Sequence, residues 1–97
     1  MNNKNNLKNL DRKFICPKQV ITQEIDCEMI LLDTNEGIYF SLDEVGCCYW
    51  KCIISSESLR EACEIVANKY HIEYALAYQD GSKLCDELLE KKLITTA

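Results

Sequence analysis

Polar and apolar residues alternate in the first half of the chain, then settle into a three-to-four-residue recurrence after Leu42. Those two periods belong to strands and helices respectively. Gln19–Ile25 places β-branched residues at roughly alternate positions, as a half-buried strand requires. Asp26 suits a turn, and Cys27–Asp33 is a denser apolar run that reads as a second strand. Thr34, Asn35, Glu36 and Gly37 supply turn chemistry before a third strand, Ile38–Leu42. Strands joined by so short a connection pair antiparallel, which predicts a three-stranded meander.

The helical half begins at Asp43, whose carboxylate can cap a helix carrying Val45, Cys48, Tyr49, Trp50, Cys52 and Ile53. Ser58 and Glu61 have the spacing of a capping box. Behind them Leu59, Ala62, Cys63, Val66, Ala67 and Tyr70 form one apolar stripe, opposite Arg60, Glu61, Glu64 and Lys69. The last stripe is Leu84, Cys85, Leu88, Leu89 and Leu93. Its helix is expected to start near Glu73 and to run through Gly81, at a cost of about 1 kcal/mol relative to alanine. The fold class is therefore α+β: a three-stranded antiparallel β-meander followed by three α-helices, one small sheet against a helical layer.

Composition supports one domain. The chain has 97 residues, 47% of them hydrophobic, with a single proline and three glycines. We expect a flexible, basic, Asn-rich tail over residues 1–13 and a single domain over 14–97, with the Phe14–Pro17 stretch as its first ordered contact. No apolar run approaches the ~20 residues that span a bilayer, and the opening residues lack the apolar core of an export signal. These features lead us to expect a soluble, cytoplasmic protein with no membrane partner. Seven cysteines would fit a disulfide framework, but the odd number and the core-forming periodicity favour reduced thiols.

Charge is uneven along the chain. Residues 1–18 hold five basic side chains and one acidic one, a formal +4. The remainder holds six basic and fifteen acidic side chains, a formal −9. Such a body repels phosphate backbones, so no nucleic-acid partner is expected.

Catalytic and metal-binding patterns are sparse. His71 is the only histidine, and its place at the end of the second helical stripe suits a structural role. Cys47, Cys48 and Cys52 share one expected helix, yet no Cys-x-x-Cys pair marks a zinc site. Cys63 and Cys85 fall in apolar stripes, where a thiol behaves as a small hydrophobe, while Cys16 and Cys27 are less constrained. Asp86, Glu87 and Glu90 alternate with Lys83, Lys91 and Lys92, as on a solvated helical face. No phosphate loop or nucleophile elbow is present. The reading is a chain with no catalytic residues, no metal and no cofactor.

One ordered set of features resembles a known family. Glu28 precedes an apolar strand ending at Asp33, and Gly37 opens the aromatic strand that ends in Leu42 and Asp43. Gly46 follows, then Tyr49 and Trp50; Ser58, Leu59, Arg60, Glu61 and Tyr70 fit a second helix, and Asp80, Leu84, Leu88, Leu93 and Ile94 a third. This pattern, over about residues 19–95, resembles the PqqD-like family. Lys92 stands where that family usually has glycine, and Asp43 replaces a commoner asparagine.

The resemblance implies a winged-helix-like RiPP recognition element, a module for ribosomally synthesised and post-translationally modified peptides. Such a module captures the leader of a precursor peptide by strand addition and delivers it to a separate modifying enzyme, such as a leader peptidase or a radical enzyme. Applied here, the implied peptide site is the strand Ile38, Tyr39, Phe40, Ser41 and Leu42, with Lys83, Leu84, Glu87, Leu88 and Lys91 of the third helix as the facing wall. Alternation assigns Ile38, Phe40 and Leu42 to the core face and Tyr39 and Ser41 to the other. Leu84 and Leu88 could equally be wholly core. An open edge strand also allows either a monomer or an edge-strand dimer. The alternatives are a winged-helix DNA-binding regulator and a cysteine metal or redox protein.

Overall fold

The computed structural model describes residues 9–55 and 57–97. Its elements run β1 (Phe14–Ile15), β2 (Val20–Ile25), β3 (Glu28–Asp33), β4 (Ile38–Leu42), α1 (Glu44–Ile54), α2 (Leu59–Tyr70), α3 (Tyr74–Glu90) and β5 (Thr95–Thr96). The three-stranded sheet has the order β2-β3-β4, with both pairs antiparallel. The meander followed by three helices is thus the architecture that the periodicity predicts. A second pairing, Phe14 with Thr96 and Ile15 with Thr95, joins the two ends of the chain. Two-residue strands carry no readable period, so sequence pattern gives no sign of this one.

The turns account for the sheet. Asp26 and Cys27 both have positive φ, 51° and 69°, so they form the two-residue turn between β2 and β3. Cys27 therefore belongs to the turn and not to the strand expected from Cys27 onward. At the next turn the Asp33 carboxylate accepts from the Asn35 and Glu36 amides at 2.9 and 3.2 Å. Gly37, at φ 71°, closes that loop by donating to the Asp33 carbonyl.

One face of the sheet packs on the helices through Met29, Leu31 and Leu42. The other face leaves Ile21, Ile30 and Tyr39 exposed. β2 buries only Val20, less than the half-burial its alternation predicts, because α1 packs against β3 and β4.

The first two helices begin as their caps dictate. The Asp43 carboxylate accepts from the Gly46 amide at 2.8 Å at the start of α1. Ser58 and Glu61 complete the capping box of α2, which ends at His71 in the left-handed conformation. α3 runs unbroken through Gly81, as expected, and places Ala77, Cys85 and Leu88 in the core. On α1 the buried thiol is Cys47, while Cys48 is half-buried.

The assignment of residues 1–13 to a tail needs correction at its end. Leu10 is in the core and Asn9 is buried. The Arg60 and Leu59 amides, left without partners in the first turn of α2, donate to the Leu10 and Arg12 carbonyls at 2.7 and 3.3 Å. Arg60 also pairs with Asp11 at 2.9 Å. The packed unit therefore includes residues 9–13, and the rest of the expected tail, residues 1–8, lies outside the described residues.

Candidate functional site

β4 is an edge strand. Among the described residues no strand pairs with its outer side, so half of its backbone N–H and C=O groups face away from the sheet. The edge arises because the Asp43 cap turns the chain into α1 directly after Leu42. α3 then returns past β4, and the space between them opens into two clefts.

The larger cleft, about 720 Å³, lies at the Leu42 end. Its apolar wall includes Phe40, Leu42, Val45, Ile72 and Leu84, with Tyr49 beneath. Tyr49 is held there by its hydroxyl, which donates to the Ala77 carbonyl at 2.8 Å. Burial, with Asp80 among the nearby negative charges, pushes the Tyr49 phenol far above its usual range, so it stays a neutral donor. Glu28, Asp43 and Asp80 form the charged part of this cleft. A second cleft, about 500 Å³, lies at the Ile38 end and includes Asp33, Glu36, Glu90, Lys91 and Lys92. Between the two, the Lys91 ammonium sits 6.0 Å from the centre of the Phe40 ring.

The site residues expected from the sequence divide into three groups. Phe40, Ser41, Leu42 and Leu84 share the larger cleft, and Ile38 and Lys91 share the smaller one. Tyr39 is 70% exposed on the opposite face of the sheet. Lys83 and Glu87 are exposed on α3 but contribute to neither cleft. Leu88 is fully buried and supports the wall from beneath instead of lining it. Register places Ile38, Phe40 and Leu42 on the core side, opposite Asp33, Leu31 and Met29. Their burial is graded, however: Leu42 is buried, Phe40 half-buried and Ile38 43% exposed.

Asp80, Asp43, Glu28 and Ile72 also line the larger cleft, beyond the site residues that the sequence implies. Asp80 was within reach of pattern reasoning, since it lies one helical turn before Leu84. Ile72, in the α2–α3 connection, had no such signal. Lys92, where the resembled family usually has glycine, adopts φ 60° while its amide donates to the Leu89 carbonyl. Among the described residues no three His, Cys, Asp or Glu side chains converge as a metal-ligand set. No helix among the described residues is long and apolar enough to cross a membrane.

A short antiparallel meander whose edge strand β4 is overlooked by the last of three helices defines a small winged-helix-like α+β module. The chain belongs to the PqqD family: the family model described as Coenzyme PQQ synthesis protein D matches residues 28–94. Two solved structures are similar. One, TbiB1 in complex with the TbiA(beta) leader peptide, superposes with a TM-score of 0.77 at 25% identity, covering 82% of this chain and 93% of that one. The other, lasso peptide synthetase B1 complexed with the leader peptide, has a TM-score of 0.79 at 20% identity, covering 86% and 98%. The latter likeness is one of fold. Both are peptide complexes, and the DNA-binding alternative gains no support from them. No curated protein sequence matches the chain significantly.

Proposed function

We propose that this protein is a non-catalytic leader-peptide-binding module, a RiPP recognition element that works in the cytoplasm beside a separate modifying enzyme. The observation that carries this reading is the unpaired edge of β4 bordered by clefts against α3. Family membership and the leader-bound state of the similar structures support it. The peptide adds as a fourth strand on Ile38–Leu42, where its backbone satisfies the free groups of the edge. Each such bond contributes a net ~0.5–1.5 kcal/mol, so four or five need apolar anchors to reach micromolar affinity. Phe40 and Leu84 are those anchors, Lys91 and Glu87 flank the path, and Leu88 holds the helix in place from the core. Lys83 and Tyr39 lie at its margin. A guest strand leaves no catalytic task for this chain, which holds and presents the substrate.

The test is a titration with the synthetic leader encoded by the precursor gene beside this one, followed by amide chemical shifts. The expected result is saturable perturbation centred on Ile38–Leu42, with Leu84→Ala weakening binding about tenfold, equivalent to ~1.4 kcal/mol of apolar contact. A folded protein whose β4 amides stay unmoved at high micromolar leader would refute the reading. The same titration run by sedimentation reports whether an edge-strand dimer competes with the peptide.

A further inference from the structure

The two ends of the β4–α3 groove differ in charge. The larger cleft carries Glu28, Asp43 and Asp80, and no Lys, Arg or His contributes to it. The ion pairs among the described residues, Lys51–Glu24 and Arg60–Asp11, involve none of these three carboxylates. Only Asp43 is partly engaged, by the Gly46 amide on its Oδ1. The nearby lysines lie elsewhere: Lys91 and Lys92, just past the end of α3, belong to the Ile38-end cleft, and Lys83 on α3 to neither. A peptide laid along β4 therefore meets three carboxylates with no cation at the Leu42 end, against three carboxylates and two lysines at the Ile38 end.

Beneath those carboxylates the wall is apolar, formed by Leu42, Val45, Ile72 and Leu84. An occupant must suit both surfaces. A short apolar side chain covers the wall but takes water from the carboxylates without replacing it. An acidic side chain is repelled. A long aliphatic stem ending in a cation satisfies both, because it lies on apolar surface while its head remains near anions and solvent. Strands pair about 4.8 Å apart, which puts such a side chain from a guest strand within reach of the rim.

We propose that the groove selects a peptide with a lysine or arginine at its Leu42 end, the stem lying on Leu84 and Ile72 and the cation among Glu28, Asp43 and Asp80. This rests on the peptide-binding reading above and adds to it the chemistry of one side chain. The acidic body of the protein, formally −9 beyond residue 18, attracts the same ligand over longer range.

The probe is the synthetic leader from the adjacent precursor gene, with each lysine and arginine replaced singly by norleucine, which retains the stem and removes the charge. Calorimetric titrations compare the wild-type protein with the Glu28→Gln, Asp80→Asn double variant, sparing Asp43 because it caps α1. One position is expected at which norleucine weakens wild-type binding about tenfold but binding to the double variant less than about twofold. Wild-type affinity is also expected to fall about tenfold between about 20 mM and about 500 mM salt, a measurement that needs no variant. A leader without lysine or arginine, a loss equal in both proteins, or an affinity indifferent to salt would overturn the charge assignment while leaving peptide binding intact. A leader that does not bind the wild-type protein overturns the peptide-binding reading, and this proposal with it.

Discussion

At Gly81 the three helices come close together. A Cβ placed there would lie 2.6 Å from the Cys63 sulfur on α2 and 2.9 Å from the Tyr49 ring on α1. Both neighbours are buried, and Tyr49 is tethered through its hydroxyl to the Ala77 carbonyl, so neither can give way cheaply. Helix propensity alone favours alanine over glycine by about 1 kcal/mol, whereas overpacking a closed core costs about 1–3 kcal/mol. Gly81→Ala is accordingly expected to lower the unfolding free energy in urea by up to about 2 kcal/mol net of the propensity gain. A stabilised variant would show that the helices can separate without loss. The spacing of α3 made this glycine legible as helical. Its reason for being glycine lies on two other elements, and no local pattern contains it.

Turns decide the sheet at the scale of elements. The β2–β3 connection needs two residues at positive φ, which Asp-Gly or Asn-Gly supplies without strain. This chain has Asp26 and Cys27 there, so a side chain occupies a backbone conformation that disfavours one by about 1–2 kcal/mol. Cys27→Gly is expected to raise stability by about 1 kcal/mol, read as a higher urea midpoint with an unchanged slope. A lower midpoint would mean that the thiol contributes more than the strain. The missing glycine also explains why the strand was expected to begin one residue early. The turn before β4, by contrast, ends in Gly37 and was plain in the sequence. The start of α2 was half legible. Its capping box follows from Ser58 and Glu61, but the docking of Leu10 and Arg12 on its free amides brings together segments remote in sequence.

Across the whole molecule, burial sorts the seven cysteines. Cys27 is exposed, Cys16, Cys48 and Cys52 are half-buried, and Cys47, Cys63 and Cys85 are buried. Desolvation pushes the Cys52 thiol up to about 11, and the Cys63 and Cys85 thiols up to about 12. A time course of alkylation near neutral pH, read by mass spectrometry, should therefore label Cys27 first and Cys47, Cys63 and Cys85 only on unfolding. Rapid labelling of Cys63 or Cys85 in folded protein would contradict the packing of α2 against α3. The same shifts fix the alkaline limit. In the fold these thiols stay protonated above their ordinary value of 9.0. Their stabilising contribution is full below about pH 9 and is lost as pH rises towards about 12, because only the unfolded chain gains thiolate there. Urea midpoints measured across that window should fall steadily.

By itself the sequence determined the order and kind of the main elements, since strand and helix periods are properties of neighbouring residues. It also determined that β4 follows two paired strands and so ends the sheet at an open edge. Only the tertiary structure decided which α3 residues border that edge. Helical rotation puts Asp80 and Leu84 on the groove, with Lys91 at the cap just past them, sends Leu88 into the core and leaves Lys83 and Glu87 in solvent. Likewise, only packing brought Glu28, Asp43 and Asp80 around one apolar wall, because they sit on separate elements and share no local pattern.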